Sequence, residues 1–131
     1  MEKMISQTTK GIKVTVKTDY EGSFFKSKKV CYTFSYHITI ENNTANYVQV
    51  KGRLWEIYDA LNSVKVVHGE GVVGEQPIIE PGASYTYSSG CVLNSPLGAM
   101  RGCYEVMNMS NEGYFRAEIP SFKLSAPFVL N

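Results

Sequence analysis

The chain has 131 residues, of which 44% are hydrophobic and 19% are charged, and this size and composition predict one globular domain. Its 13 basic and 12 acidic residues leave a formal net charge of +1, so charge gives no reason to expect a nucleic acid or an anionic membrane as partner. The three cysteines form no C-x-x-C pair, which argues against a disulfide framework.

The beginning of the chain carries no apolar run, so we expect no signal peptide. No stretch approaches the roughly 18 consecutive apolar residues of a membrane span. We therefore expect a cytoplasmic protein, with a flexible N-terminal segment over residues 1–10 and a single domain over residues 11–131.

The first predicted elements are two strands of different length. Gly11–Thr18 alternates apolar and polar residues, which predicts a half-buried strand. The mostly polar stretch Asp19–Lys29 predicts a loop. Val30–Glu41 keeps a period of two throughout, with β-branched and aromatic side chains, and predicts a second strand. The residues 42–44, Asn-Asn-Thr, predict a turn.

The next predicted strand, Tyr47–Asp59, changes phase near its middle. Its apolar positions switch from even to odd numbers, as Val48, Val50, Trp55 and Ile57 show. An unbroken pleat would place the two pairs on opposite faces. A β-bulge near Gly52-Arg53 would bring all four to one face, and we predict one there.

The remainder of the chain predicts short strands separated by turn signals. The strands are predicted at Val64–His68, Ala83–Ser89, Met100–Asn108, Gly113–Ile119 and Ser121–Ser125, and the turns and loops at Ala60–Ser63, Pro81-Gly82, Ser89–Gly98 and Ser110–Gly113. Pro120 indicates an edge strand or a bend. Seven or eight short, mainly antiparallel strands without a convincing helix predict an all-β sandwich.

The stretch Gly69–Pro77 contains the G-x-G-x-x-G pattern of dinucleotide-binding sites. That site needs a helix that opens at the last glycine, and Pro77 followed by Pro81-Gly82 excludes one. The glycines then provide unusual backbone angles and close packing. Alternatively, the loop binds a small anion or a nucleotide polyphosphate through a nest of backbone amides, although two nearby glutamates oppose it. The candidate residues for the anion site are Gly69, Gly71, Gly74, Gln76, Arg53 and Arg101.

Neither a metal centre nor a catalytic site is predicted. The two histidines and three cysteines lack zinc-ligand spacing, and a weak Mg²⁺ site at Glu70 and Glu75 stays open as an alternative. Ser88, Ser89 and Cys91 lie in one segment without the motif of a hydrolase. We therefore expect no cofactor and no enzymatic activity.

The aromatic content favours a binding surface for another protein. Trp55 is expected in the core. Five aromatic residues lie in predicted loops or beside turns and are the candidates for an interaction surface, because such residues are enriched in interfaces: Tyr20, Phe24, Phe25, Tyr114 and Phe115. The alternative is partial burial beneath loops. A homodimer through an exposed sheet edge also remains open.

Seven motifs in order carry a resemblance to a known family. They are Tyr36-x-Ile38-x-Ile40-x-Asn42, Arg53-x-Trp55-x-Ile57-x-Asp59, Gly69–Pro77, Pro81-Gly82, Tyr87-x-Ser89-Gly90-Cys91, Pro96-x-Gly98-x-Met100-x-Gly102-x-Tyr104 and Ile119-Pro120-x-Phe122-x-Leu124-x-x-Pro127. With these motifs, the chain resembles the bacterial ApaG family over residues 11–128.

The resemblance implies an immunoglobulin-like sandwich of the fibronectin type III kind. It also implies an association with cobalt tolerance and magnesium efflux, and a role in protein interaction. Two positions depart from the family's pattern: Leu54 stands where histidine is common, and Ser23–Lys29 is more basic than usual. The first departure weakens any cation site that would use that position.

Overall fold

The computed structural model describes residues 3–60 and 62–129. Residues 1, 2, 61, 130 and 131 lie outside the described residues. Parts of three predicted features therefore lie outside them as well: the N-terminal segment, the turn at Ala60–Ser63 and the end of the domain.

The described residues form nine strands and no helix. The strands are β1 Lys3–Thr9, β2 Ile12–Lys26, β3 Lys29–Asn42, β4 Val48–Asp59, β5 Lys65–Glu70, β6 Ile78–Ile79, β7 Ser84–Leu93, β8 Leu97–Asn108 and β9 Gly113–Ser125. One sheet has the order β1-β2-β3-β7 and the other β5-β4-β8-β9, with β6 paired to β4. All these pairings are antiparallel. The molecule is the immunoglobulin/fibronectin type III-like β-sandwich that the sequence predicts.

The core lies between the two sheets and is built by the strands with alternating sequence. On β3, every second residue from Phe34 to Ile40 is buried. Trp55 of β4 and Tyr104 of β8 are buried opposite them, and the ring of Trp55 lies 5.5 Å from that of Tyr36. The prediction that Trp55 belongs to the core is confirmed.

The predicted bulge in the fourth strand is present one residue earlier than expected. The pairing of β4 with β8 shifts register between Val50 and Gly52, which leaves Lys51 as the extra residue. As a result, Val50 and Trp55 are both buried. The bulge also gives Arg53 the inward parity of Trp55, which decides the chemistry of the cavity described below.

The first residues do not match the prediction of a flexible segment. Residues 3–9 form β1, which pairs with β2 from Lys3↔Thr18 to Thr9↔Ile12. Apolar alternation does not reveal this strand, because β1 is an edge strand with mostly exposed side chains and needs no buried face. Backbone hydrogen bonds to β2 hold it instead.

The predicted loop at Asp19–Lys29 is wrong, because β2 continues to Lys26 and pairs with β3 up to Lys29. The two strands are joined by Ser27 and Lys28, whose φ values of 54° and 64° suit the tight type I′ turn of a hairpin. A register shift between Tyr20 and Gly22 interrupts the alternation. This bulge, together with the exposure of the hairpin's end, removed the periodic signal.

Other predicted strands are also longer in the structure than the sequence indicated. The strand predicted at Ala83–Ser89 extends to Leu93, so the predicted loop Ser89–Gly98 shortens to residues 94–96. The two last predicted strands are one strand, β9, which lies at a sheet edge. Its pairing with β8 shifts register between Met100 and Gly102, opposite Pro120. The assignment of Pro120 to an edge strand is therefore confirmed.

Candidate functional site

The bulge at Lys51 directs Arg53 toward the space between the sheets. Its Nη1 donates hydrogen bonds to the carbonyl oxygens of Glu70 (3.0 Å) and Gly71 (3.1 Å). The guanidinium lies against Gly69, where a Cβ atom would come within 2.5 Å of Arg53 Cζ. Gly69 is therefore needed for this side-chain position, since any larger residue would displace the guanidinium.

The glycine-rich stretch is a tight turn between β5 and β6. The amide of Val72 donates to the carbonyl of Glu75 (2.7 Å), and the amide of Glu75 donates back to the carbonyl of Val72 (3.0 Å). Val73 and Gly74 between them have φ values of 45° and 80°, which suit a type I′ turn. At Gly71, with φ 56°, a Cβ atom would lie 1.8 Å from the carbonyl oxygen of Glu75. These glycines meet backbone requirements, as the sequence indicated.

Several groups that an anion would need in this loop are already engaged. The amide of Gly71 donates to the carbonyl of Lys51 (2.8 Å), in addition to the Val72 and Glu75 pair. Gln76 Nε2 also donates to the carbonyl of Lys51 (3.3 Å), so its side chain ties the loop to β4. Of the two predicted arginines, Arg53 lies beside the loop.

Arg101 is engaged elsewhere in the molecule. Its Nε donates to Glu56 Oε1 at 3.0 Å, and its guanidinium lies 5.7 Å from the centre of the Tyr58 ring. The residues paired across β4 and β8 here are Glu56 and Arg101, and both belong to the face of the sheet opposite Trp55. The structure therefore separates Arg101 from the other candidate residues of the anion site.

A cavity of about 450 Å³ lies between the two sheets, on the side where β5 and β7 form the sheet edges. We call it the inter-sheet cavity, and the lining residues that matter here are Tyr36, Arg53, Trp55, Lys65, Tyr87 and Cys91. Its lining contains two cationic side chains and no aspartate or glutamate among the described residues. Its volume falls in the usual range for small-molecule sites.

The acidic groups of the cavity are held in their neutral forms. Burial raises the pKa of the Cys91 thiol to about 11. Burial also raises the pKa of Tyr87, whose hydroxyl shares a hydrogen bond with that of Tyr104. The pKa of Tyr36 is raised by burial as well, partly offset by a hydrogen bond with Ser89. At neutral pH the charges lining the cavity are therefore those of Arg53 and Lys65.

Sequence reasoning identified Arg53 but missed its partners in the cavity. Tyr87, Ser89 and Cys91 alternate along β7 and all line the cavity. This alternation was visible in the sequence, but the segment was divided between a strand and a loop. Reading it as one strand would have placed the three residues on one face.

The five aromatic candidates for an interaction surface lie at two separate places. Phe24 and Phe25 are 45% and 72% exposed at the end of the β2–β3 hairpin. Tyr20 packs against the buried ring of Phe34, at 5.4 Å between centroids.

The other two candidates, Tyr114 and Phe115, belong to β9 and lie near the start of β2. Tyr114 is 55% exposed, while Phe115 is partly buried with Lys10 Nζ 5.7 Å from its centre. Because thirteen residue steps along β2 separate Ile12 from Phe25, these two positions lie roughly 40 Å apart. The five residues therefore do not form one surface.

A polar network across β2, β3 and β7 was also missed. His37 Nδ1 lies 2.6 Å from Ser88 Oγ, and His37 Nε2 lies 3.2 Å from Asp19 Oδ2. The residue types match a catalytic triad, but such a site also needs backbone donors that converge on an oxyanion. Ser88 lies within an extended strand, where successive amides point in opposite directions. Through these contacts the side chain of His37 links β2, β3 and β7.

The described residues contain neither a cluster of metal ligands nor a membrane-spanning helix. No group of three or more His, Cys, Asp or Glu side chains within residues 3–60 and 62–129 could hold a metal ion. No helix long and apolar enough to cross a membrane is found in the same ranges. The three cysteines are free thiols, with Cys31 and Cys103 buried and Cys91 partly buried.

The sequence of this chain is similar to a known domain family and to named bacterial proteins. The sequence model of the ApaG domain matches residues 22–108. Protein ApaG of Brucella suis is 44% identical over 124 residues, which cover 95% of each chain. Protein ApaG of Methylobacterium radiotolerans is 41% identical over 126 residues, which cover 96% of each chain.

Solved structures agree with the sequence comparison. An X-ray structure of a structural-genomics target, 40% identical, superposes with a TM-score of 0.87 over 92% of this chain and 90% of that one. The crystal structure of the putative ApaA protein from Bordetella pertussis, 35% identical, superposes with a TM-score of 0.81 over 95% of this chain and 97% of that one. The protein described here belongs to the ApaG family.

Proposed function

We propose that this ApaG domain is a non-enzymatic binding module that engages a protein partner through the end of its β2–β3 hairpin. We call this region the hairpin surface and define it by Phe24, Phe25, Val30, Lys26, Lys28 and Lys29. The observation that carries the proposal is the exposure of three apolar side chains at the end of the hairpin, where Phe25 and Val30 are paired across the two strands. Phe24 is 45%, Phe25 72% and Val30 42% exposed.

The hairpin surface extends beyond the rest of its sheet. On one side, β1 pairs with β2 only as far as Thr18. On the other side, β7 pairs with β3 only as far as Tyr32. Among the described residues, the end of the hairpin is therefore a two-stranded ribbon with unpaired edges, which is open to contact from either face.

The charges of the hairpin surface indicate the chemistry of the partner. Lys26, Lys28 and Lys29 are all exposed and neighbour the apolar residues at the end of the hairpin. Positive charge around an apolar centre complements a partner segment that combines acidic and apolar residues. We propose that the family's association with cobalt tolerance and magnesium efflux arises from the partner protein that this surface would bind.

A comparison of three immobilised proteins tests the proposal. The wild type, the double variant Phe25→Ser/Lys28→Glu and the variant Tyr114→Ser are used to capture proteins from a lysate of the native cell. We expect the double variant to retain about tenfold less of the specific partner, because it loses an apolar anchor and reverses a charge. The Tyr114→Ser variant removes an exposed ring at the opposite end and should retain the partner.

The dependence of capture on salt and the oligomeric state of the protein test the proposal further. Capture should weaken as ionic strength rises toward about 0.5 M, since exposed charges are then screened. Equal capture by all three proteins would contradict the proposal, as would loss with Tyr114→Ser alone. A dimer in light scattering that dissociates in the double variant would identify a second copy of this chain as the occupant.

A further inference from the structure

We propose that the inter-sheet cavity binds a small organic monocarboxylate, with the carboxylate on Arg53 and an aryl or branched apolar body between the sheets. This proposal does not depend on the hairpin surface. It also differs from anion binding by the amides of the glycine loop, because the ligand would lie between the sheets.

Among the residues that the structure describes, Arg53 is a cation without a carboxylate partner. No ion pair to an aspartate or glutamate is formed by this residue within residues 3–60 and 62–129. Its hydrogen bonds to described residues use Nη1, with the carbonyls of Glu70 and Gly71 as acceptors. Nε and Nη2 form the other side of the guanidinium fork, whose spacing fits the two oxygens of one carboxylate.

The position of the guanidinium is fixed before any ligand arrives. Two carbonyl acceptors hold Nη1, and the close contact with Gly69 restricts the plane of the group. A cation held in place loses little conformational freedom when it binds, which favours affinity. Arg53 therefore has the preorganisation of a ligand-binding residue.

The rest of the cavity suits an apolar body. Tyr36, Trp55 and Tyr87 provide aromatic surfaces, and Met100 and Val67 provide aliphatic ones. The described lining residues include no carboxylate, and the buried thiol and phenols are neutral at physiological pH. This lining disfavours a cationic ligand and accepts a single negative charge near Arg53.

Val73 provides an independent observation at the wall of the cavity. This β-branched residue has a φ of 45° and is 59% exposed, a conformation that costs folding energy. An exposed valine gains little burial in return. Because its side chain lines the cavity, we assign it a contact with the apolar body of the ligand.

A monocarboxylate fits the charges better than a multiply charged anion. One fixed arginine and one exposed lysine, Lys65, line the cavity. Glu70 and Glu75 are exposed in and beside the adjoining turn, and their charges oppose the approach of a polyphosphate. The ligand class that we expect is represented by phenylacetate and indole-3-acetate.

Titration of the wild type with isosteric probes tests the proposal without any mutation. Phenylacetate, phenylacetamide and phenethylamine share an aryl body and differ in charge. We expect saturable changes in Trp55 fluorescence and in the amide signals of Tyr87 to Cys91 with phenylacetate. Affinity for the amide should be about tenfold lower, because the charge-assisted pair with Arg53 is lost, and the amine should not bind.

Two variants assign the charge to Arg53. Arg53→Gln should weaken phenylacetate binding about tenfold, whereas Arg101→Gln removes an arginine outside the cavity and should leave binding unchanged. Should Arg53→Gln fail to fold, the wild-type comparison of acid and amide decides alone. Equal affinity for acid and amide would overturn the proposal. So would the absence of a saturable change up to about 10 mM acid, or shifts confined to residues outside the cavity.

Discussion

At the scale of single residues, Asn42 shows how one buried polar side chain can hold a junction. The side chain is fully buried at the end of β3. Its Nδ2 donates to the carbonyls of Asn46 (2.8 Å) and Ile79 (2.9 Å). Its Oδ1 accepts from the amide (3.0 Å) and hydroxyl (2.6 Å) of Thr44. All of its hydrogen-bonding groups are therefore satisfied, and it ties β3 to β6 and to the turn predicted from the sequence.

Replacement of Asn42 by alanine should lower the free energy of unfolding by about 3 kcal/mol. The truncation leaves buried carbonyl and amide groups without partners, which costs more than the loss of a typical exposed hydrogen bond. Urea denaturation of the variant measures the change. The neighbouring variant Asn43→Ala, at an exposed position, should lose less than about 0.5 kcal/mol, and a similar loss in both variants would refute the assigned role.

At the scale of elements, the turn between β5 and β6 combines tight hydrogen bonding with an unfavourable residue. Val73 and Gly74 occupy positions that both require a positive φ. Asparagine is the residue preferred beside glycine in such a turn, whereas valine resists this conformation. The turn is therefore less stable with valine at position 73 than it would be with asparagine there.

The variant Val73→Asn should raise the free energy of unfolding by about 1 kcal/mol, because it relieves the positive-φ strain of a β-branched residue. It should also weaken phenylacetate binding, since Val73 is assigned a contact in the inter-sheet cavity. Urea denaturation and the fluorescence titration measure the two effects. Val66→Asn, an exposed position within β5, serves as control and should lose a few tenths of a kcal/mol. Stabilisation by the control as well would show that strain is not the cause.

The strands that the sequence predicted well are those with one buried face. β3 buries every second residue from Phe34 to Asn42, and the bulge at Lys51 of β4 was foreseeable because the parity of the apolar residues changes there. β1 and the end of the β2–β3 hairpin gave no such signal, since neither buries a full face. Pairing at a sheet edge depends on backbone hydrogen bonds, so side-chain periodicity does not predict it.

The candidate site was only partly accessible to sequence reasoning for a different reason. Arg53 could be named because it precedes Trp55 on a strand that alternates. Tyr87 and Cys91 belong to the other sheet, and the pairing of sheet edges is a tertiary property that local patterns do not determine. The same limit explains why Arg101 was grouped with the glycine loop, although it binds Glu56 across the strand pair.

At the scale of the whole molecule, a hydrogen bond between two phenols joins the two sheets. Tyr87 of β7 and Tyr104 of β8 share a hydrogen bond between their hydroxyls, so a polar contact crosses the core. Burial raises the pKa of both, that of Tyr104 well above its usual value. Burial also raises the pKa of the Cys91 thiol to about 11. The folded sandwich therefore requires these acids in their neutral forms.

This requirement predicts a loss of stability at alkaline pH. Each acid has a higher pKa in the folded protein than the unfolded values of 9.0 for cysteine and 10.0 for tyrosine, so rising pH ionises the unfolded chain first. The contribution of Cys91 is complete below pH 9 and is lost by about pH 11. The contributions of Tyr87 and Tyr104 decline above pH 10. Each group adds a slope of at most about 1.4 kcal/mol per pH unit.

Urea denaturation between pH 7 and about 11.5, in the presence of a reductant, measures this profile. We expect a nearly constant free energy of unfolding below pH 9 and a decline that steepens above pH 10. Tyr87→Phe should be less stable at pH 7, because Tyr104 loses its hydroxyl partner, yet its decline above pH 10 should be shallower. Tyr114→Phe removes the hydroxyl of an exposed ring and should reproduce the wild-type profile. If Tyr87→Phe declined as steeply as the wild type, the alkaline loss would have to come from groups outside the tyrosine pair.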